Sequence, residues 1–230
     1  MKLGKAILGA VIAFGGVTFV DSTRTEGAPQ GRLLLPGAYT FFPTVFINEL
    51  HEYCLATRGR RTLATLPTDA PYAADVCPDG FLYLADQNSV YKLDRLTGQI
   101  ISSFLHQTAS PVSIACKPNG NLLMAPNNGS TIDEYTPSGT RTAWVSSGLS
   151  TTIRNIRITP QGTVAFLDRH PGLELPNKLV EYDLAGNHLR DVLTSSDGMV
   201  SFVFPSTGEI LISHTGSRCI KRYNWTSSPW

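Results

Sequence analysis

Along this chain apolar residues gather in short runs separated by turn formers, and nothing after residue 28 sustains a helical period. One turn recurs, as Pro29-Gln30-Gly31, Pro78-Asp79-Gly80, Pro118-Asn119-Gly120, Pro160-Gln161-Gly162 and the stretched Pro205-Ser206-Thr207-Gly208. The steps from glycine to glycine are 49, 40, 42 and 46 residues. A short apolar segment follows each glycine: Leu33-Leu34-Leu35, Phe81-Leu82-Tyr83-Leu84, Leu122-Leu123-Met124, Val164-Ala165-Phe166-Leu167 and Ile210-Leu211-Ile212. After a variable loop comes an alternating segment that ends on Tyr53, Leu93, Tyr135, Tyr182 or Tyr223. In three units a second turn follows, at Thr97-Gly98, Ser138-Gly139 and Ala185-Gly186, and then another apolar run.

Runs this short have strand length, not helix length. Asp-Gly and Asn-Gly pairs take up positive φ at little cost and so close tight hairpins. Each unit therefore reads as four antiparallel strands in a twisted sheet with two faces to bury. Packing copies radially buries both faces, which predicts an all-β propeller with about five recognisable four-stranded blades. A sandwich or plain barrel is the competing architecture. The last unit is incomplete, since seven residues follow Tyr223. A fragment of a six-bladed propeller is the other reading of the blade count. Residues 21–230 form the propeller domain.

Residues 1–20 stand apart. Lys2 and Lys5 precede an apolar run over 6–20 that is short for a transmembrane span. It fits a secretory signal peptide, which makes the protein secreted, extracellular or periplasmic. The rival reading is a strand that closes the last blade, which would leave a cytoplasmic protein.

Composition narrows the partners. Hydrophobic residues make up 42% of the chain and charged residues 16%, as in a folded globular protein. The net charge of +1 gives no electrostatic reason to expect nucleic acid or an anionic membrane. The four cysteines, Cys54, Cys77, Cys116 and Cys219, contain no C-x-x-C pair, so zinc is not indicated. An exported chain permits two disulfides among them. Cys77 and Cys116 fall near the ends of successive first strands, as a disulfide or as two core thiols.

Ile212-Ser213-His214-Thr215-Gly216-Ser217-Arg218-Cys219-Ile220-Lys221-Arg222-Tyr223 resembles a repeat line of the NHL-repeat and SMP-30/gluconolactonase/strictosidine-synthase-like propellers. Leu84-Ala85-Asp86-Gln87-Asn88-Ser89-Val90-Tyr91 and Lys178-Leu179-Val180-Glu181-Tyr182-Asp183 are similar to other lines of that group. The resemblance implies the fold over about residues 29–224 and says little about activity. The lactonase members hold a calcium ion at the channel mouth. Asp86 and Asp168 match the aspartate position of that site by type. Glu26 in Glu26-Gly27-Ala28-Pro29 echoes the glutamate loosely, Asn155 is one residue out of step, and Asn127 sits on a loop. Calcium, through Asp86, Asp168 and Glu26, is thus a possible cofactor by resemblance.

Six residues after the turn glycines stand Gly37, Asp86, Pro126, Asp168 and His214, one column of the repeat. Asp86, Asn127, Asp168 and His214 are accordingly the candidate ligand-binding residues, on loops of one face of a rigid scaffold. The competing role for Asp86 and Asp168 is to accept hydrogen bonds from loop amides. His170 lies in a long insertion with Glu174, and His170 and His214 are the candidates for proton transfer. The sequence has no G-x-S-x-G elbow and no P-loop. The expected function is a non-catalytic binding or scaffold propeller presenting loops to a protein, glycan or small molecule. The alternative is a metal-dependent lactonase-like hydrolase or related lyase.

Overall fold

The computed structural model describes residues 18–20, 39–44, 49–54, 59–67, 72–108, 111–126, 129–145, 149, 152–169, 176–206 and 208–225. All regular structure among them is strand, in five antiparallel sheets. The first sheet is β1 (Thr18–Val20), β2 (Tyr39–Thr44), β3 (Glu49–Cys54) and β4 (Arg60–Thr65). The second is β5 (Ala73–Val76), β6 (Leu82–Ala85), β7 (Ser89–Leu93) and β8 (Ile100–Leu105). The third is β9 (Pro111–Cys116), β10 (Leu122–Pro126), β11 (Ile132–Tyr135) and β12 (Arg141–Val145). The fourth is β13 (Thr152–Ile158), β14 (Val164–Arg169), β15 (Asn177–Tyr182) and β16 (His188–Ser195). The fifth holds three described strands, β17 (Met199–Ser206), β18 (Glu209–His214) and β19 (Cys219–Asn224). The architecture is a β-propeller with four four-stranded blades and a fifth of three described strands.

The repeat read from the sequence lies on these strands in register. The turns ending at Gly80, Gly120 and Gly162 join the first and second strands of blades two, three and four, with φ between +82° and +87°. The first unit departs from the pattern. Its turn glycine and Leu33-Leu34-Leu35 fall outside the described residues, and the strand paired with β3 is β2. Register explains the shift: from Tyr39↔Cys54 to Thr44↔Glu49 the two strands form an unbroken antiparallel ladder. Of the stretch read as a leader or closing strand, only Thr18–Val20 are described. They pair with β2 in the first sheet rather than with the fifth. The remainder lies outside the described residues.

Burial sorts the strands by position. The second strands β6 and β10 are buried throughout, whereas the outer strands β8 and β12 are largely exposed. Successive sheets pack face to face. One core joins Leu63, Leu66, Leu82, Leu84 and Leu93, and another joins Leu123, Trp144, Ile156, Phe166 and Val180. First strands touch in chain order, β5 against β9, β9 against β13 and β13 against β17.

Those first strands are also sewn together by side chains. The Cys116 amide donates to Asp75 Oδ2 (2.9 Å), and the Ile156 amide donates to Ser113 Oγ (2.8 Å). Asn155 Nδ2 donates to Phe202 O (2.7 Å) and Ser201 Oγ (3.1 Å). Cys77 and Cys116 form a disulfide between the second and third sheets, with their Cα atoms 5.1 Å apart. Cys219 is a free, exposed thiol.

Candidate functional site

The column Asp86, Asp168 and His214 stands at the ends of three second strands, and Asp86 and His214 are each enclosed by neighbouring polar groups. Asp86 is buried. Its Oδ1 accepts the amides of Asn88 (2.8 Å) and Ser89, and its Oδ2 accepts the Tyr91 hydroxyl (3.1 Å). Asp86 thereby caps the tight Asn88-Ser89 turn that leads into β7.

His214 is fully enclosed and lies 3.3 Å from Asp197 through Nδ1 and 3.3 Å from the Tyr223 hydroxyl through Nε2. Asp197 also accepts the Ser217 hydroxyl and amide and Lys221 Nζ (3.2 Å). Those donors, the Ser217 hydroxyl foremost, hold its carboxyl down at about 2. The group therefore anchors the β18–β19 turn.

Asp168 is the column member that faces a cavity. Directly across the strand pair from it stands Lys178. A cleft of ≈ 320 Å³ on the fourth sheet is lined by Leu149, Asp168, Lys178, Val180, Tyr182, His188 and Asp191. The local sequence explains why these side chains converge. Lys178, Val180 and Tyr182 alternate along β15 and so share one face. Register brings Asp191 opposite Val180 and His188 opposite Tyr182 from β16. Lys178 Nζ pairs with Asp191 Oδ2 at 2.7 Å, and His188 Nε2 lies 2.9 Å from Asp191 Oδ1. The His188 ring stands edge-on to Tyr182 at 5.1 Å.

Electrostatics follow from the contacts. The Lys178 hydrogen bond lowers the Asp191 carboxyl, and the same bond raises the Lys178 ammonium. Burial raises the Tyr182 phenol, helped by the charges of Asp168 and Asp191. At neutral pH the cleft thus presents the Lys178 ammonium, the Asp191 carboxylate and the neutral Tyr182 phenol side by side. That set donates to and accepts from hydroxyl groups, over an apolar floor of Val180 and Leu149.

A second charged feature lies where the first strands meet. Asp75 and Arg157 interact across the third sheet, whose residue in the same column is the small Ala115. Burial pushes the Asp75 carboxyl up, against the pull of Arg157 and the Cys116 amide.

Glu26, Asn127, His170 and Glu174 lie outside the described residues. Among the described residues, no three His, Cys, Asp or Glu side chains gather closely enough to hold a metal ion. None of their elements is a helix long and apolar enough to cross a membrane. Lys178, Tyr182, His188 and Asp191 were not predicted as a site from the sequence. Their only sequence cue is the alternation along 178–182, which becomes a site once the register to β16 is known.

No protein-family profile matches the chain, and no curated protein is similar to it in sequence. Solved structures are similar in fold. Virginiamycin B lyase from Staphylococcus aureus superimposes with a TM-score of 0.59 at 14% identity, over 83% of this chain and 67% of the lyase. A chain of a nidogen/laminin complex gives 0.66 at 15%, over 80% of this chain and 73% of its own. A protein assigned as a gluconolactonase gives 0.61 at 12%, over 81% and 70%. This chain thus spans about two thirds of the lyase's length and somewhat more of the other two. At these identities the likeness is one of fold, and it is the NHL/SMP-30-like propeller fold that the repeat lines resemble.

Proposed function

We propose that this chain is a non-catalytic binding propeller whose fourth-sheet cleft takes a small polyhydroxylated, glycan-like ligand. The observation that carries this reading is the chain of contacts Lys178–Asp191–His188 along one wall of the cleft, with Tyr182 beside it. Small-ligand sites combine an apolar floor with a few convergent polar groups, in cavities from about 300 Å³ upward. Half-exposed donors and acceptors already in mutual contact can exchange partners for sugar hydroxyls without stranding a buried charge. The structural neighbours include a lyase, a protein assigned as a gluconolactonase and a chain from a complex of two proteins, so fold likeness alone favours neither catalysis nor binding.

The metal-dependent alternative draws less support. Asp86 spends its carboxylate on two loop amides and a phenol. His214 is enclosed, with Nε2 3.3 Å from the Tyr223 hydroxyl and Nδ1 3.3 Å from Asp197.

Isothermal titration of the full chain with neutral and acidic mono- and disaccharides tests the proposal. Binding by at least one class, weakened tenfold or more by Lys178→Ala and by Asp191→Asn with the melting temperature held, is expected. No binding across the panel, or equal binding by both variants, overturns it.

Export to an oxidising compartment goes with this reading. The Cys77–Cys116 disulfide supports it, because cytosolic thiols are kept reduced. Recovery of the chain from secretion medium with Cys77 and Cys116 resistant to alkylation until reduced is the check.

A further inference from the structure

A buried polar atom without a hydrogen-bond partner is costly, so each one asks for an explanation. Among the described residues five side-chain atoms are of this kind: His106 Nδ1, Asn155 Oδ1, Arg169 Nε, Asn177 Oδ1 and His214 Nδ1. His106, Asn155 and His214 are held through their other side-chain nitrogen, by Asp86 O, Phe202 O and the Tyr223 hydroxyl. That leaves Arg169 and Asn177, and strand alternation puts these two side by side. Asp168 pairs with Lys178, and both line the cleft. Arg169 and Asn177 are the next residue outward on each strand, so they turn to the opposite face of the fourth sheet. On that face Leu167 and Leu179 share a core with Met199 and Ile212 of the fifth sheet. Arg154, paired with Leu167 from β13, lies on it too, since its neighbour Ile153 belongs to the core on the other side. Burial lowers the Arg154 guanidinium, and the like charge of Arg169 lowers it further. Two mutually repelling arginines and the Asn177 amide thus form the half-buried rim of an apolar core.

We propose that this rim, at the seam of the fourth and fifth sheets, is an oxyanion site, where Arg169, Arg154 and Asn177 take the carboxylate or phosphate group of a small molecule. A guanidinium presents its N–H groups in a planar fork that matches the oxygens of either group. An oxyanion gives Arg169 Nε an acceptor and sets a negative charge between the two arginines. A water molecule would do the first and not the second. A half-turn of the Asn177 amide exchanges Oδ1 for Nδ2 and adds another donor. The site lies on the other face of the sheet from the Lys178–Asp191 cleft, so it stands or falls separately from the glycan reading.

The experiment is titration calorimetry and thermal unfolding of the full chain in inorganic phosphate or in acetate, against chloride at matched ionic strength. An anion that binds the native state alone raises the melting temperature with its concentration. At least one of the two is expected to bind and to do so; phosphate alone marks a tetrahedral group and acetate alone a planar one. Arg169→Gln is expected to weaken binding about tenfold or more. Asn177→Asp, which sets a carboxylate at the site, is expected to do the same. Arg169→Lys keeps the charge without the planar fork and is expected to bind less tightly than wild type. Arg222→Gln removes an equal charge from an exposed position on β19 and is expected to bind as wild type does. Circular dichroism confirms that each variant folds, and Arg169→Lys and Asn177→Asp carry the comparison if Arg169→Gln does not. The proposal is overturned if neither anion acts beyond chloride, or if the folded variants at Arg169 and Asn177 bind as wild type does. An equal loss in Arg222→Gln, the mark of a general charge effect, overturns it as well.

Discussion

Asn155 carries an unusual load for one residue. It sits at φ +52°, in the left-handed region that β-strand residues avoid, within the β13 bulge between Arg154 and Arg157. The bulge turns its side chain toward β17, where Nδ2 donates to Phe202 O and Ser201 Oγ. Asn tolerates this backbone better than most residues, but glycine does so with less strain. Two substitutions separate backbone from side chain. Asn155→Ala keeps the strain and loses both bonds, for a cost of about 2–3 kcal/mol. Asn155→Gly loses the bonds and relieves the strain, so it should be about 1 kcal/mol less destabilising. Denaturant unfolding of the two variants measures the gap. Equal losses would show that the backbone at this position is unstrained. From sequence, Asn155 stood out only as an approximate match to a calcium-binding asparagine. Its actual bonds run between sheets, and a one-dimensional repeat cannot show which strand of the next blade a side chain will reach.

At the scale of elements, the second glycine turn of blades two, three and four shows what was legible and what was not. The sequence located the turns at Gly98, Gly139 and Gly186 and gave hairpin closure as the reason for glycine. The structure adds a second reason. A Cβ on Gly98 would stand 1.8 Å from Leu63 O of the first sheet, and one on Gly186 would stand 2.4 Å from Trp144 O of the third. These turns dock on the preceding blade, and Trp144 Nε1 completes one contact by donating to Leu184 O (3.0 Å). Strand order and turn positions were legible because they rest on local periodicity and φ preference. The cleft was not, because it depends on register between β15 and β16, which shifts at two bulges.

The Asp197 cluster is an element-scale device of the same kind, tying the connection after β16 to the β18–β19 turn. Its folded carboxyl ionises at about 2, against an ordinary 3.8. A carboxyl with a depressed folded value stabilises the native state above its unfolded value, and that contribution fades as pH falls through the folded one. Wild type should therefore melt higher than Asp197→Asn above pH 4 or so, and the difference should close as pH falls toward about 2. Scanning calorimetry over that range checks it; a difference that does not vary with pH would remove the ionic explanation.

On the scale of the whole molecule, a propeller holds together by what joins sheet to sheet, since each sheet is stable only with a neighbour on its face. The Cys77–Cys116 bond spans 39 residues of sequence. A cross-link of that span removes enough unfolded-chain entropy to stabilise by about 4 kcal/mol, less any native strain. Cys77→Ser should lower the denaturation midpoint accordingly, and a reducing agent should do the same to wild type while leaving the variant unmoved. Loss of under about 1 kcal/mol would mean the unfolded chain is already compact there.

That bond also makes the seams of the disc unequal. The second and third sheets are cross-linked by a disulfide, whereas the side chains that join the third to the fourth through Ser113 and the fourth to the fifth through Asn155 do so by hydrogen bonds. Under load or partial denaturation such a body does not loosen evenly. It parts first at a seam that this disulfide does not cross, and the cross-linked second and third sheets become the block that persists longest and from which the rest can re-form.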